Sequence, residues 1–252
     1  MDDRSKYTQG GYEKFRKAVF AMSKPVLDKR FNENRNEWIV ITKNILFNQK
    51  GQKTFSKPPT KEEEIILKIR GGFNEIALSY DSMTEIPLYL KKYPQKLIWK
   101  SKFLEFVIVN YLNEVYILSE RLEAYTKKII RLYKKHPDIA KVEKEILTFD
   151  KLFKDLFNSH NNNLRGEHVH VRRFEDDDLN RLVYLEVLYH NGNNPNDKFV
   201  NSEYKKAIAF NKKKWLDSFE ESNKKYERFL DMYFTMIYSI VFDKNGNFRN
   251  PK

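Results

Sequence analysis

From Leu104 onward the chain carries Ile108, Tyr111, Val115, Leu118, Leu122, Tyr125, Ile129 and Leu132 at alternating spacings of four and three. An α-helix turns once in about 3.6 residues, so this rhythm keeps one apolar seam on one face through successive heptads. A strand would scatter the same residues over both of its faces. The spacing predicts a helix of about 35 residues whose stripe must be covered by other helices. His136-Pro137-Asp138 ends it, because proline has no amide hydrogen to continue the ladder. Ile139, Val142, Ile146, Phe149, Phe153 and Leu156 then repeat the rhythm. Two such helices joined by a tight turn are expected to pack antiparallel along their seams.

Other segments extend the helical pattern. Only eight glycines and eight prolines occur in 252 residues, and few turn formers favour long helices. Thr60-Lys61-Glu62-Glu63 has the spacing of a capping box and predicts a helix start, with its end near Gly71-Gly72. Asp176-Asp177-Asp178 marks another start, of a helix running to about Tyr189. A last helix is expected from Ser202 to Val241, with Ile208, Trp215, Phe219, Tyr226, Leu230, Tyr233, Ile237 and Ile240 on one face. The tail from Asp243 reads as frayed. Trp99 and Trp215 read as packing anchors, and Lys212 to Lys214 and Lys224-Lys225 as a solvated face. Residues 1–59 are less legible. Tyr12 to Met22 suggests a short basic helix stopped near Pro25, Trp38 to Phe47 suits helix or strand, and Asn48 to Pro59 suits a loop. The expectation is an all-α antiparallel helical bundle over 60–252, preceded by a basic, helical N-terminal extension over 1–59.

Composition narrows the function. The absence of cysteine removes disulfides, thiolate nucleophiles and Cys-ligated zinc. The net charge is +12, and residues 1–60 hold 13 Lys and Arg against 6 Asp and Glu. Such a surface concentrates polyanions, so RNA or another phosphate-bearing ligand is an expected partner; solubilising surface lysines are the plainer reading. The polar start and the want of a long uncharged apolar run predict no signal peptide, no spanning helix, no membrane partner and a cytoplasmic location. No phosphate-binding glycine loop, nucleophile elbow or His-Glu-x-x-His is present, which leaves kinase, hydrolase, dinucleotide and zinc-protease chemistry without support.

One segment concentrates chemistry. Asn163-Leu164-Arg165-Gly166-Glu167-His168-Val169-His170-Val171-Arg172-Arg173 holds two of the chain's five histidines and three arginines between two predicted helices. A metal held by His168, His170 and a carboxylate is one reading, but the arginines would repel a dication, so no metal and no cofactor are expected. RNA cleavage is the second: a neutral imidazole takes the proton of a ribose 2′-hydroxyl while a guanidinium holds the phosphate. The third is anion or nucleotide binding without chemistry. The fourth is structural, with Arg172 and Arg173 paired to Asp176, Asp177 or Asp178. Arg131 and His136 repeat the Arg-x4-His spacing, but a basic last turn there only complements the helix dipole. His160 and His190 stand in polar loops, the second of them over His190 to Asp197, and read as solvated.

An all-helical chain with Arg-x4-His between two helices resembles the HEPN superfamily (higher eukaryote and prokaryote nucleotide-binding), over roughly residues 98–241. The residues that carry the likeness are Arg165 and His170, separated by Gly166, Glu167, His168 and Val169. The resemblance implies a metal-independent endoribonuclease of defence or toxin–antitoxin kind, with His170 as base and Arg165 as phosphate clamp. Asn163, His168, Arg172 and Arg173 would support them. It also implies a homodimer, because motifs from two protomers commonly share one cleft. Family members that act as binding scaffolds give the alternative. The family usually has Asn, Asp or His after the arginine; here that position is Gly166.

Overall fold

The computed structural model describes residues 10–48, 50–51, 57–92, 99–146, 148, 151, 176–191 and 197–251. These residues are helical almost throughout: α1 Gly11–Glu33, α2 Arg35–Leu46, α3 Lys61–Lys91, α4 Lys100–Leu132, α5 over 139–146, α6 Asp177–Asn191 and α7 Lys198–Val241. Among them the only β pairing is one bridge, Phe242 to Phe248. The chain is all-α. Its contacts group into two units, one of Met1–Glu75, Ala124–Leu147 and Leu230–Lys252, the other of Ile76–Glu123 and Thr148–Phe229. That grouping cuts across the sequence division at residue 59, since α1 and α2 share a unit with parts of α3, α4 and α7.

The first unit is built on aromatic rings. Phe15 of α1 is fully buried and meets Phe73, Phe234 and Phe242 at centroid distances of 5.6, 4.9 and 5.8 Å. Tyr12, one turn earlier, reaches the same Phe73 and Phe234. Burying each such ring stabilises by about 1.5–3 kcal/mol, so these contacts fix how α1 lies on its neighbours. The start of α1 is seated on α7: the Tyr12 amide donates to Asp231 Oδ1 at 3.1 Å, a carboxylate at the positive end of the dipole. Gly11 permits this approach, because a Cβ there would stand 2.0 Å from Thr235 Oγ1.

Three expectations are corrected in this unit. α1 passes through Pro25 instead of stopping. The carbonyl that Pro25 cannot bond belongs to Ala21; both residues are exposed, which leaves it open to solvent. Burial of Val19 and Ser23 before the proline, and pairing of Lys29 with Glu63 after it (2.9 Å), hold the helix together. Likewise α3 does not end at Gly71-Gly72 but runs on to Lys91. Gly72 is used for packing: a Cβ would sit 2.4 Å from Cδ2 of Tyr125, so the ring lies against bare backbone. The tail, finally, is folded. Asp243 accepts from the amides of Asn245 and Asn247, Arg249 Nε donates to the Phe242 carbonyl, and the Tyr133 hydroxyl donates to the Arg249 carbonyl at 2.8 Å. The expected capping box is present at the start of α3, where the Thr60 amide donates to Glu63 Oε2 and the Glu63 amide to Thr60 Oγ1.

The α4 seam is as the spacing predicts: each of its residues from Leu104 to Ile129 is at most 4% exposed. Tyr133 takes the last place instead of the half-buried Leu132. α5 buries Val142 and Ile146; the rest of the second seam, Phe149, Phe153 and Leu156, lies outside the described residues. In the second unit Tyr111 of α4 stacks on Phe219 of α7 at 4.1 Å and donates to Asn223 Oδ1 at 2.7 Å. α7 begins at Lys198, earlier than expected, because Asp197 Oδ1 accepts the amides of Phe199 and Val200. Its first buried positions are Tyr204, Ala207 and Asn211, while Ile208 is only half-buried.

Candidate functional site

All six residues singled out for chemistry, Asn163, Arg165, His168, His170, Arg172 and Arg173, lie outside the described residues. The structure describes the helix that follows them. Asp176 caps it, its Oδ1 accepting the Leu179 amide at 2.9 Å, as the run of three aspartates predicts. From α7, Lys214 Nζ donates to Asp176 Oδ2 at 2.8 Å and Asp178 Oδ2 at 2.6 Å. Partial burial alone would lower the ammonium pKa, but the two carboxylates outweigh that and hold it above its ordinary value. The expectation that Lys212 to Lys214 form only a solvated face is therefore corrected at Lys214. Two of the three aspartates considered as partners for Arg172 and Arg173 already hold this ammonium.

Beside the start of α6 a cavity of about 280 Å³ is lined by Asp178, Arg181, Glu203, Lys206, Phe210 and Asn211. Its two cations share one carboxylate: Arg181 lies 3.2 Å and Lys206 2.9 Å from Glu203, so part of their charge is neutralised within the wall. Those cations hold the Glu203 carboxyl below its usual range, Lys206 contributing most. Asn211, 1% exposed, donates to the carbonyls of Asp178 and Ala207, and its Oδ1 has no partner among the described residues. The bond to Asp178 ties α7 to α6, and the bond to Ala207 lies within α7.

The most enclosed charge among the described residues is Glu186 of α6, fully buried. It accepts four bonds: the Lys100 amide at 2.6 Å and the Tyr204 hydroxyl at 2.6 Å on Oε1, and the Ser101 amide at 3.0 Å and hydroxyl at 2.5 Å on Oε2. Burial pushes its pKa up, and the bonds from Ser101, Tyr204 and Lys100 more than reverse it, leaving the carboxyl below its ordinary value and ionised. With every acceptor position engaged, the group serves as a cap for α4 supplied by another helix. Sequence reasoning missed it; a glutamate on the apolar side of α6, two turns past Leu179, was the available sign.

Next to this cap lies a partly exposed ring cluster, in which His190 belongs to α6 and not to the loop expected from the sequence. Trp99 meets His190 at 5.7 Å, and Tyr189 stacks on Tyr204 at 4.7 Å. Trp99, read as a packing anchor, packs on His190 at the surface and is no part of the core, being 42% exposed. Trp215, 8% exposed, is buried as expected. His136 accepts from Arg249 at 3.3 Å, so its described contact is with the C-terminal turn. Among the described residues no three carboxylate or imidazole groups converge as metal ligands, and no helix is long and apolar enough to cross a membrane. No family model matches the chain, and neither a curated protein nor a solved structure matches it.

Proposed function

We propose that this chain is a HEPN-like, metal-independent endoribonuclease of defence or toxin–antitoxin kind, acting in the cytoplasm as a homodimer. His170 takes the proton of the attacking 2′-hydroxyl, and Arg165 holds the phosphate and its developing charge. Asn163, His168, Arg172 and Arg173 support the pair and grip the RNA backbone. One observation carries this reading: in an all-α chain, Arg165-x4-His170 immediately precedes α6, a helix with an aspartate cap. The engagement of Asp176 and Asp178 by Lys214 also favours a ligand role for Arg172 and Arg173 over pairing with those aspartates.

The test is cleavage of RNA by the purified protein in EDTA. Cutting is expected to continue in the chelator and to be lost in Arg165→Ala and in His170→Ala, both with unchanged helicity. RNA left intact by the parent protein refutes the enzyme. A binding scaffold of the same fold is the second reading, favoured by Gly166, which supplies no polar side chain where the family usually has one. Retention of intact RNA with steep salt dependence would identify it.

A further inference from the structure

α2 is turned inside out. A surface helix normally buries its apolar stripe and shows water its polar residues. Here the buried residues are Ile41 and Asn44, with Glu37 half-buried beside them, while Leu46 is 72%, Ile45 58%, Ile39 47% and Trp38 45% exposed. Val40 is exposed too, Phe47 continues the surface just past the helix end, and Phe31 of α1 joins it through an edge-on contact with Trp38 at 5.8 Å. At 100° per residue the exposed apolar side chains sweep roughly 220° of the circumference, far beyond an ordinary stripe. Arg35 and Lys43 project among them, exposed, with no carboxylate partner among the described residues. An exposed apolar surface of this extent, interrupted by Arg35, Asn36 and Lys43, marks an interaction site.

Breadth and charge choose the occupant. A groove in a protein partner takes a stripe of about 100°, whereas a deformable apolar phase can cover a convex face more than half-way round. A second copy would bring Arg35 and Lys43 against their own counterparts in a chain of net charge +12, setting like charges together. An anionic lipid surface supplies apolar cover and negative charge together. Trp and Phe settle at the headgroup level, and Arg and Lys lay their stems along the apolar layer with their charges in the headgroups.

We propose that α2, with Phe31 and Phe47, lies in the plane of an anionic lipid surface and anchors the chain there peripherally. The helix has only twelve residues and lies on the surface without crossing it. The sequence expectation of no membrane partner rested on the want of a spanning segment, which does not bear on this mode of attachment.

The test is sedimentation of the full 252-residue protein with phosphatidylcholine vesicles, with and without phosphatidylglycerol. A basic protein adsorbs to anionic vesicles by charge alone, so the deciding variant is Ile39→Ser with Leu46→Ser, which alters no charge and touches only exposed side chains. Binding is expected to require phosphatidylglycerol and to fall roughly tenfold or more in the double variant. A blue shift of tryptophan emission on binding is expected to vanish in Trp38→Phe. Equal binding by parent and double variant refutes the proposal, as does no binding by the parent. A parent dimer that the double variant splits, without vesicle binding, assigns the face to a second copy and refutes it as well.

Discussion

Gly71 and Gly72 stand side by side in α3, and alanine at each is expected to move stability in opposite directions. In a helix interior, Gly to Ala gains about 0.5–1 kcal/mol from lost backbone freedom in the unfolded chain. Gly71 is exposed, and a Cβ there meets nothing within 4 Å, so Gly71→Ala should realise that gain. At Gly72 the new methyl would lie 2.4 Å from Cδ2 and 2.8 Å from Cε2 of Tyr125. Carbon atoms rest at about 3.5–4.0 Å, so ring or helix must withdraw by about 1 Å. The ring has little room: Tyr125 is 1% exposed, with Phe234 at 6.3 Å and Phe15 at 6.5 Å. Overpacking of this kind costs about 1–3 kcal/mol, which matches or exceeds the propensity gain of about 0.5–1 kcal/mol and leaves a net loss of up to about 2.5 kcal/mol. Urea denaturation followed by far-UV circular dichroism gives both numbers on one scale. Shifts of the same sign, or a Gly72→Ala protein more stable than the parent, would refute the packing role assigned to Gly72.

Glu186→Gln keeps the shape of the cap but turns an NH₂ group toward buried donors. It should cost about 2–3 kcal/mol, a Tm fall of roughly 4–12 °C in a chain of this size. Because the folded carboxyl titrates below its ordinary 4.5, the parent's advantage is complete above about pH 4.5 and fades as pH falls through the folded value. Melting the two proteins across that range checks the sign, and a gap that widens in acid contradicts it. Asp231→Ala removes the carboxylate under the first turn of α1 and should cost about 0.5–2 kcal/mol, with faster hydrogen exchange at Tyr12. Unchanged protection there would mean that the ring contacts of Tyr12 and Phe15 alone seat the helix. Arg165→Ala and His170→Ala should each abolish RNA cleavage in EDTA while leaving Tm and helicity unchanged.

Features decided by short stretches of chain were legible in the sequence. The α4 seam depends on spacing alone, and the Thr60-Glu63 box and the Asp176 cap on residues three apart; all three are found. Features decided by distant residues were not. Pro25 and Gly71-Gly72 read locally as stops, yet α1 continues past Pro25, beside the buried Val19 and Ser23, and α3 continues because Gly72 packs on Tyr125. Trp38 to Phe47 was legible as apolar but not as outward-facing, since only the burial of Ile41 and Asn44 fixes which side meets the protein. Glu186 escaped notice because its donors are supplied from 18 to 86 residues away. The Arg165 to Arg173 segment was singled out by its composition alone, and it lies outside the described residues.

The first unit has a consequence for how the chain is made. Its ring cluster joins Tyr12 and Phe15 to Phe234 and Phe242, and its Tyr12 to Asp231 bond spans 219 residues. During synthesis α1 leaves the ribosome long before the residues that cover it exist. Until residues 234–242 are made, Phe15 and Phe73 are without the partners that Phe234 and Phe242 supply. Closure of this unit is thus a late event, paid in loop entropy over nearly the whole length of the polypeptide. In that interval the nascent chain presents the rings of Tyr12 and Phe15 to whatever chaperone or surface is near.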